Sequence, residues 1–82
     1  MNKNKEGVPL ISYTPLWQTL KQKNITQYQL INNYGISTGT LDALRKNKSV
    51  TLNTIQDLCY ILKCPIQDVV IIEFLDEERK EQ

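Results

Sequence analysis

The chain offers few side chains with which to make or break bonds. It has no histidine, so the commonest metal ligand and general base is missing. Its two cysteines, Cys59 and Cys64, are spaced like neither a zinc knuckle nor a Cys-x-x-Cys redox pair. Cys59 falls inside an apolar helical pattern and reads as a small core residue in a reducing compartment. No nucleophile has a base at usable spacing, and no glycine-rich loop is present to cradle a phosphate. These absences argue against an enzyme and against a metal or cofactor. What the chain does offer is segregated charge. Residues 1–48 carry Lys3, Lys5, Lys21, Lys23, Arg45, Lys46 and Lys48 against only Glu6 and Asp42. Residues 49–82 reverse the balance, with Lys63, Arg79 and Lys80 against Asp57, Asp68, Glu73, Asp76, Glu77, Glu78 and Glu81. A formal net charge of +1 therefore conceals a basic half and an acidic half, and such a chain can present one positive face.

The elements that position these charges are mostly helical. "TPLWQTLKQKN" starts with Thr14 as a cap and Pro15 at the first helical position, where its missing N–H costs nothing. Leu16, Trp17 and Leu20 share one face of this helix, Lys21 and Lys23 suit its last turn, and Asn24 stops it. The stretch "TQYQLINNYGISTGTLDALRK" carries two apolar patterns broken by Gly35 and Ser37. Thr26 caps the first, whose stripe is Leu30, Ile31 and Tyr34, and Gly35 ends it in a left-handed turn. Ser37 caps the second, which places Leu41 and Leu44 inward and Thr38, Asp42, Arg45 and Lys46 outward. Two helices joined by so short a turn must pack at a steep angle. Thr51 then caps a fourth helix with a core face of Leu52, Ile55, Leu58, Cys59 and Leu62, although Asn53 and Gln56 offer an alternative start. Beyond Pro65 a further helical turn is expected through Asp68.

Short β-prone segments lie near both ends: "VPLISY", Val8 to Tyr13, and "VVIIEFL", Val69 to Leu75. Neither is viable alone, and pairing them brings the ends of the domain together beside the helices. The expected domain spans 8–75, between a disordered N-terminus at 1–7 and a charged flexible tail at 76–82. Trp17 is expected as a partly exposed core aromatic, and Tyr13, Tyr28 and Tyr60 as surface or rim residues.

The residues "ITQYQLINNYGISTGTLDAL", the spacer "RKNKSV", and "TLNTIQDLCYILKC" followed by Asp68 resemble the Cro/CI-type (XRE, lambda-repressor-like) helix-turn-helix family of phage and bacterial repressors. The resemblance runs from about Leu16 to Val70, and the front piece "LWQTLKQKNIT" is similar to small single-domain members. It implies a mainly α, five-helix lambda-repressor-like bundle with a small two-stranded flank. It implies further that the helix Thr38 to Lys46 enters the major groove of double-stranded DNA. On that resemblance Thr38, Gly39, Asp42 and Ala43 face the bases, with Thr40 beside them. Gln27, at the start of the preceding helix, falls where the family grips phosphate, with Tyr28 and Ser37 near it. Lys46, Asn47 and Lys48 lie in the loop that runs along the backbone, so Arg45, Lys46 and Lys48 gather where electrostatic capture of DNA requires them. Two departures stand out. Ile31 replaces the alanine usual where the two helices approach, and Gly39 and Ala43 carry no hydrogen-bonding side chain. Asp42 repels phosphate but is able to accept from a cytosine amine.

The function so implied is a sequence-specific transcriptional regulator, a repressor, working as a homodimer through the apolar segment Val69–Leu75. The alternative is a protein-interaction module, antitoxin-like or anti-repressor, that uses the same fold. With 82 residues, 40% hydrophobic and 23% charged, the chain reads as one small soluble domain of the cytoplasm. It shows no secretory signal, no apolar run long enough to cross a membrane and no small-molecule effector domain.

Overall fold

The computed structural model describes residues 10–74. In chain order the elements are β1 (Ile11–Ser12), α1 (Thr14–Lys23), α2 (Gln27–Tyr34), α3 (Thr38–Arg45), α4 (Leu52–Leu62), a 3-10 turn (Ile66–Asp68) and β2 (Ile71–Ile72). Among the described residues four helices form, not five. The segment after Pro65 closes only one tight turn, with the Asp68 N–H on the Pro65 carbonyl at 3.0 Å and the Val69 N–H on the Ile66 carbonyl at 2.8 Å. It stops there because Val69 is needed elsewhere. Its side chain is fully buried, so it belongs to the core and not to a strand. Thr19, itself buried, donates its hydroxyl to the Asp68 carbonyl at 2.7 Å and ties the turn to α1.

Local chemistry sets most of the helix ends. Thr26 opens α2 with a reciprocal pair: its hydroxyl accepts the Gln29 N–H at 3.0 Å, and the Gln29 side-chain oxygen accepts the Thr26 N–H at 2.8 Å. Gly35, at φ 78°, closes α2, and the Ile36 N–H returns to the Leu30 carbonyl at 3.0 Å. Thr51, not Asn53, caps α4, through the Thr54 N–H at 3.1 Å. At α1 the expected cap shifts by a residue or two. Thr14 is already helical, and its N–H is met instead by the Ser12 hydroxyl at 3.3 Å. Asn24 ends α1 in the left-handed region as expected.

One cluster holds the helices together: Tyr13, Leu16, Leu20, Leu30, Ile36, Leu41, Leu44, Ile55, Leu58, Leu62 and Val69. Trp17, Ile31 and Cys59 pack on its edge. Ile31 is thus only half-buried, at the edge of the core. Three expectations about faces are overturned. Leu52 is 78% exposed and Tyr34 45% exposed, because each sits at the end of its helix, past the last side chain able to cover it. Tyr13, expected at the surface, is 2% exposed. Its hydroxyl donates to the Lys48 carbonyl at 2.7 Å, and its N–H to Asn47 Oδ1 at 3.1 Å.

The two strands pair antiparallel, Ile11 opposite Ile72 and Ser12 opposite Ile71, and the Glu73 N–H bonds the Leu10 carbonyl at 2.8 Å. The pairing is shorter than the Val8–Tyr13 and Val69–Leu75 segments expected for it; Val8, Pro9, Leu75 and the segments 1–7 and 76–82 lie outside the described residues. Cys59 and Cys64 are free and half-buried, with the Cys64 N–H on the Cys59 carbonyl at 3.1 Å. Among the described residues no helix is long and apolar enough to cross a membrane.

Candidate nucleic-acid interface

Helix α3 is held by one edge. Leu41 and Leu44 are buried in the core, while Thr38, Gly39, Asp42 and Arg45 stand exposed and Thr40 and Ala43 lie between. The turn that precedes α3 is Gly35, Ile36 and Ser37, with Ile36 turned inward as a wedge between α2 and α3. Ser37 caps α3 by accepting the Thr40 N–H at 3.0 Å, and the two hydroxyls share a hydrogen bond of 2.9 Å. The Ser37 hydroxyl is therefore occupied in starting the helix, while that of Thr40, the acceptor, keeps its own proton to donate.

The cations at the other end of α3 are organised by two polar contacts. Arg45 Nε donates to Gln27 Oε1 at 2.9 Å, which joins the last turn of α3 to the first residue of α2. Lys46 Nζ lies 3.0 Å from Asp42 Oδ2, an exposed i,i+4 ion pair that contributes little to stability and yields readily to a competing anion. Asn47 follows with φ 57°. Its side-chain oxygen holds the Tyr13 N–H, so this residue shapes the loop and keeps only its amide N–H groups for an outside partner. Lys48 is exposed, while its carbonyl is pinned by the Tyr13 hydroxyl. The arrangement is an exposed helix with a rigid cationic loop at its C-terminal end. An open groove of about 460 Å³, lined by Trp17, Leu20, Lys21, Asn24, Ile25, Thr26 and Gln27, adjoins the N-terminus of α2.

A family model for the Cro/C1-type helix-turn-helix DNA-binding domain matches residues 15–74. The chain belongs to that family. Among solved structures, the Cro/C1-type chain is similar to the crystal structure of the transcriptional regulator VanUg. The two share 30% identity with a TM-score of 0.70, over 74% of this chain and 81% of that one. No curated protein matches it.

In this helix-turn-helix, α2 and α3 are the paired helices and Gly35–Ser37 is the turn. Of the expected site residues, Arg45 meets Gln27 and Lys46 meets Asp42 in two separate contacts, whereas Tyr28 points outward at 74% exposure. Sequence reasoning missed the Gln27–Arg45 bond, which spans two helices and leaves no local signal. The Asp42–Lys46 pair is legible in the sequence as an i,i+4 spacing. The structural duty of Asn47 depends on Tyr13, a residue no helical pattern includes.

Proposed function

We propose that the protein is a sequence-specific DNA-binding transcriptional regulator, a repressor, that inserts Thr38–Lys46 into the major groove as a dimer. The observation that carries this reading is the split of α3. Its apolar edge is sunk in the core, its opposite edge is exposed, and Arg45, Lys46 and Lys48 flank it. A helix so mounted fits a groove about 12 Å wide. Gln27 and Tyr28 at the start of α2, with Ser37, Asn47 and Lys48, are the backbone-facing residues; Thr38, Gly39, Thr40, Asp42 and Ala43 are the base-facing ones. Similarity to a transcriptional regulator supports the regulatory role.

Dimerisation is supported by β2 and the residues just after it, where Ile71, Ile72 and Phe74 are all about half exposed or more. A second copy adding along that edge would cover them and place two α3 helices on one face of the duplex. A dimer that sets Arg45, Lys46 and Lys48 of each protomer on phosphate neutralises about six charges, so affinity should fall about a thousandfold between 50 and 200 mM salt. The test is a titration of fluorescent duplexes, random and taken from upstream of the gene, at those two salts. Changing Arg45, Lys46 and Lys48 to alanine should abolish both the affinity and its salt dependence. Absence of binding to either duplex at low salt would overturn the reading. Sedimentation showing only monomer at tens of micromolar would overturn the dimer.

The second reading, a protein-interaction module, is favoured by one feature: Gly39 and Ala43 leave the exposed face of α3 poor in hydrogen-bonding groups. It predicts binding to a protein partner that is insensitive to salt.

A further inference from the structure

Few polar atoms on the exposed face of α3 are available to a base. Gly39 and Ala43 have none, and the Thr40 hydroxyl, which accepts that of Ser37 at 2.9 Å, keeps only its proton to offer. Thr38 remains, but a hydroxyl both donates and accepts and so discriminates poorly. Asp42 is different in kind. An ionised carboxylate only accepts, and the major-groove edges of guanine and thymine present only acceptors or a methyl group to it. Cytosine presents the N4 amine, and adenine presents its amine beside the N7 acceptor.

A carboxylate facing DNA also has to survive the field of the phosphates, and Lys46 supplies the means. Its ammonium sits 3.0 Å from the carboxylate, one turn further along the same face. While that pair holds, Asp42 is neutralised and Lys46 is withheld from the backbone. A third feature concerns reach. Aspartate is short, so α3 must come close to the bases. Gly39 lies three residues earlier on the same face. A Cβ built there meets nothing within 4 Å and its φ is not positive, so neither packing nor backbone conformation within the protein requires glycine. A bare backbone at that point is what a close approach needs.

We propose, building on the DNA-binding reading above, that Asp42 is the specificity-determining residue and accepts a hydrogen bond from the N4 amine of a cytosine, with Lys46 as its exchangeable partner. On a site with cytosine at that position, the amine replaces the ammonium and Lys46 moves to a phosphate. On other sequences Asp42 competes with the phosphates for Lys46, and each protomer forfeits part of one backbone contact. Base identity is thereby coupled to counterion release. The cytosine-bearing complex should show a steeper log–log salt slope than a complex on unrelated DNA, by up to about 0.9 per protomer.

The test is selection from randomised duplexes with the wild-type chain, Asp42→Ala and Asp42→Asn, followed by salt titrations on the selected site and on the same site with that C·G pair changed to T·A. The wild type should fix a cytosine, and the T·A change should weaken binding about tenfold. Asp42→Ala should bind both duplexes alike, with equal slopes, and bind random DNA more tightly. Asp42→Asn should shift the preference toward adenine, whose amine and N7 suit a side-chain amide. Gly39→Ala should raise the thermal midpoint while weakening binding to the selected site. Wild-type base preferences retained in Asp42→Ala, or no cytosine selected by the wild type, would overturn this inference alone. Failure of every variant to bind any duplex at low salt would overturn it together with the DNA-binding reading.

Discussion

Tyr13→Phe removes one oxygen and leaves the ring that fills the core. The residue is 2% exposed and its hydroxyl donates to the Lys48 carbonyl at 2.7 Å. The change deletes a neutral hydrogen bond, ordinarily about 1 kcal/mol net, and leaves a carbonyl in a partly buried position without that partner, which costs up to about 3 kcal/mol. An intermediate loss of about 1.5 kcal/mol would lower the melting temperature of a domain this small by roughly 6–12 °C. Thermal unfolding followed by helical circular dichroism at pH 7 reads this directly. A second readout comes from alkali. Burial pushes the Tyr13 hydroxyl above its ordinary pKa, opposed in part by the nearby Val50 backbone. The folded state therefore keeps a proton that the unfolded chain releases. The stabilisation is complete below the unfolded tyrosine value of about 10 and is lost as pH rises from there through the folded value. Wild-type stability should fall across that window, and Tyr13→Phe should flatten the fall. A variant within about 0.5 kcal/mol, the usual range for ordinary surface changes, and with the wild-type alkaline slope would refute the buried hydroxyl and its hold on the Lys48 loop.

The two leucines of α4 that sequence periodicity treats alike should behave oppositely. Leu58→Ala, at a fully buried site, should cost about 2–5 kcal/mol in chemical denaturation, and Leu52→Ala, at an exposed one, less than about 0.5 kcal/mol. Burial, with Cys59 and Asp68 nearby, pushes the Cys64 thiol up. Cys64 should therefore alkylate with iodoacetamide at pH 7.5 more slowly than a free cysteine, as peptide mass spectrometry would show.

The parts of the fold written in local chemistry are the parts a reader of the sequence can find. Thr26, Ser37 and Thr51 each cap a helix whose third residue supplies the N–H, and Gly35 and Asn24 each turn left-handed where a helix must stop. These interactions close within a few residues, so their signal survives in the order of the letters. Leu52 and Tyr34 misled because periodicity assigns a face but cannot tell where along a helix the covering partner ends. The expected fifth helix failed for a similar reason: Val69 gains more by entering the core than by extending a turn or a strand. Tyr13, Asn47 and the Gln27–Arg45 bond were illegible because each depends on chain segments brought together only by the completed bundle. The outline of the candidate DNA-facing helix was readable; the wiring of its charges was not.

The antiparallel register of Ile11 with Ile72, extended by the bond between Leu10 and Glu73, has a mechanical consequence. The chain enters and leaves the domain at the same end of this ribbon. Tension applied to those two strands would pull them apart sideways, so that the few hydrogen bonds carry the load in turn and not together. The fastener should open at low force. Once it is open, Val69 and the turn anchored by Thr19 would be next to bear the strain, and a helical core with little shear resistance would follow. A tether drawn through the chain ends would thus disassemble this domain from its flank inward, reaching the α2–α3 pair last.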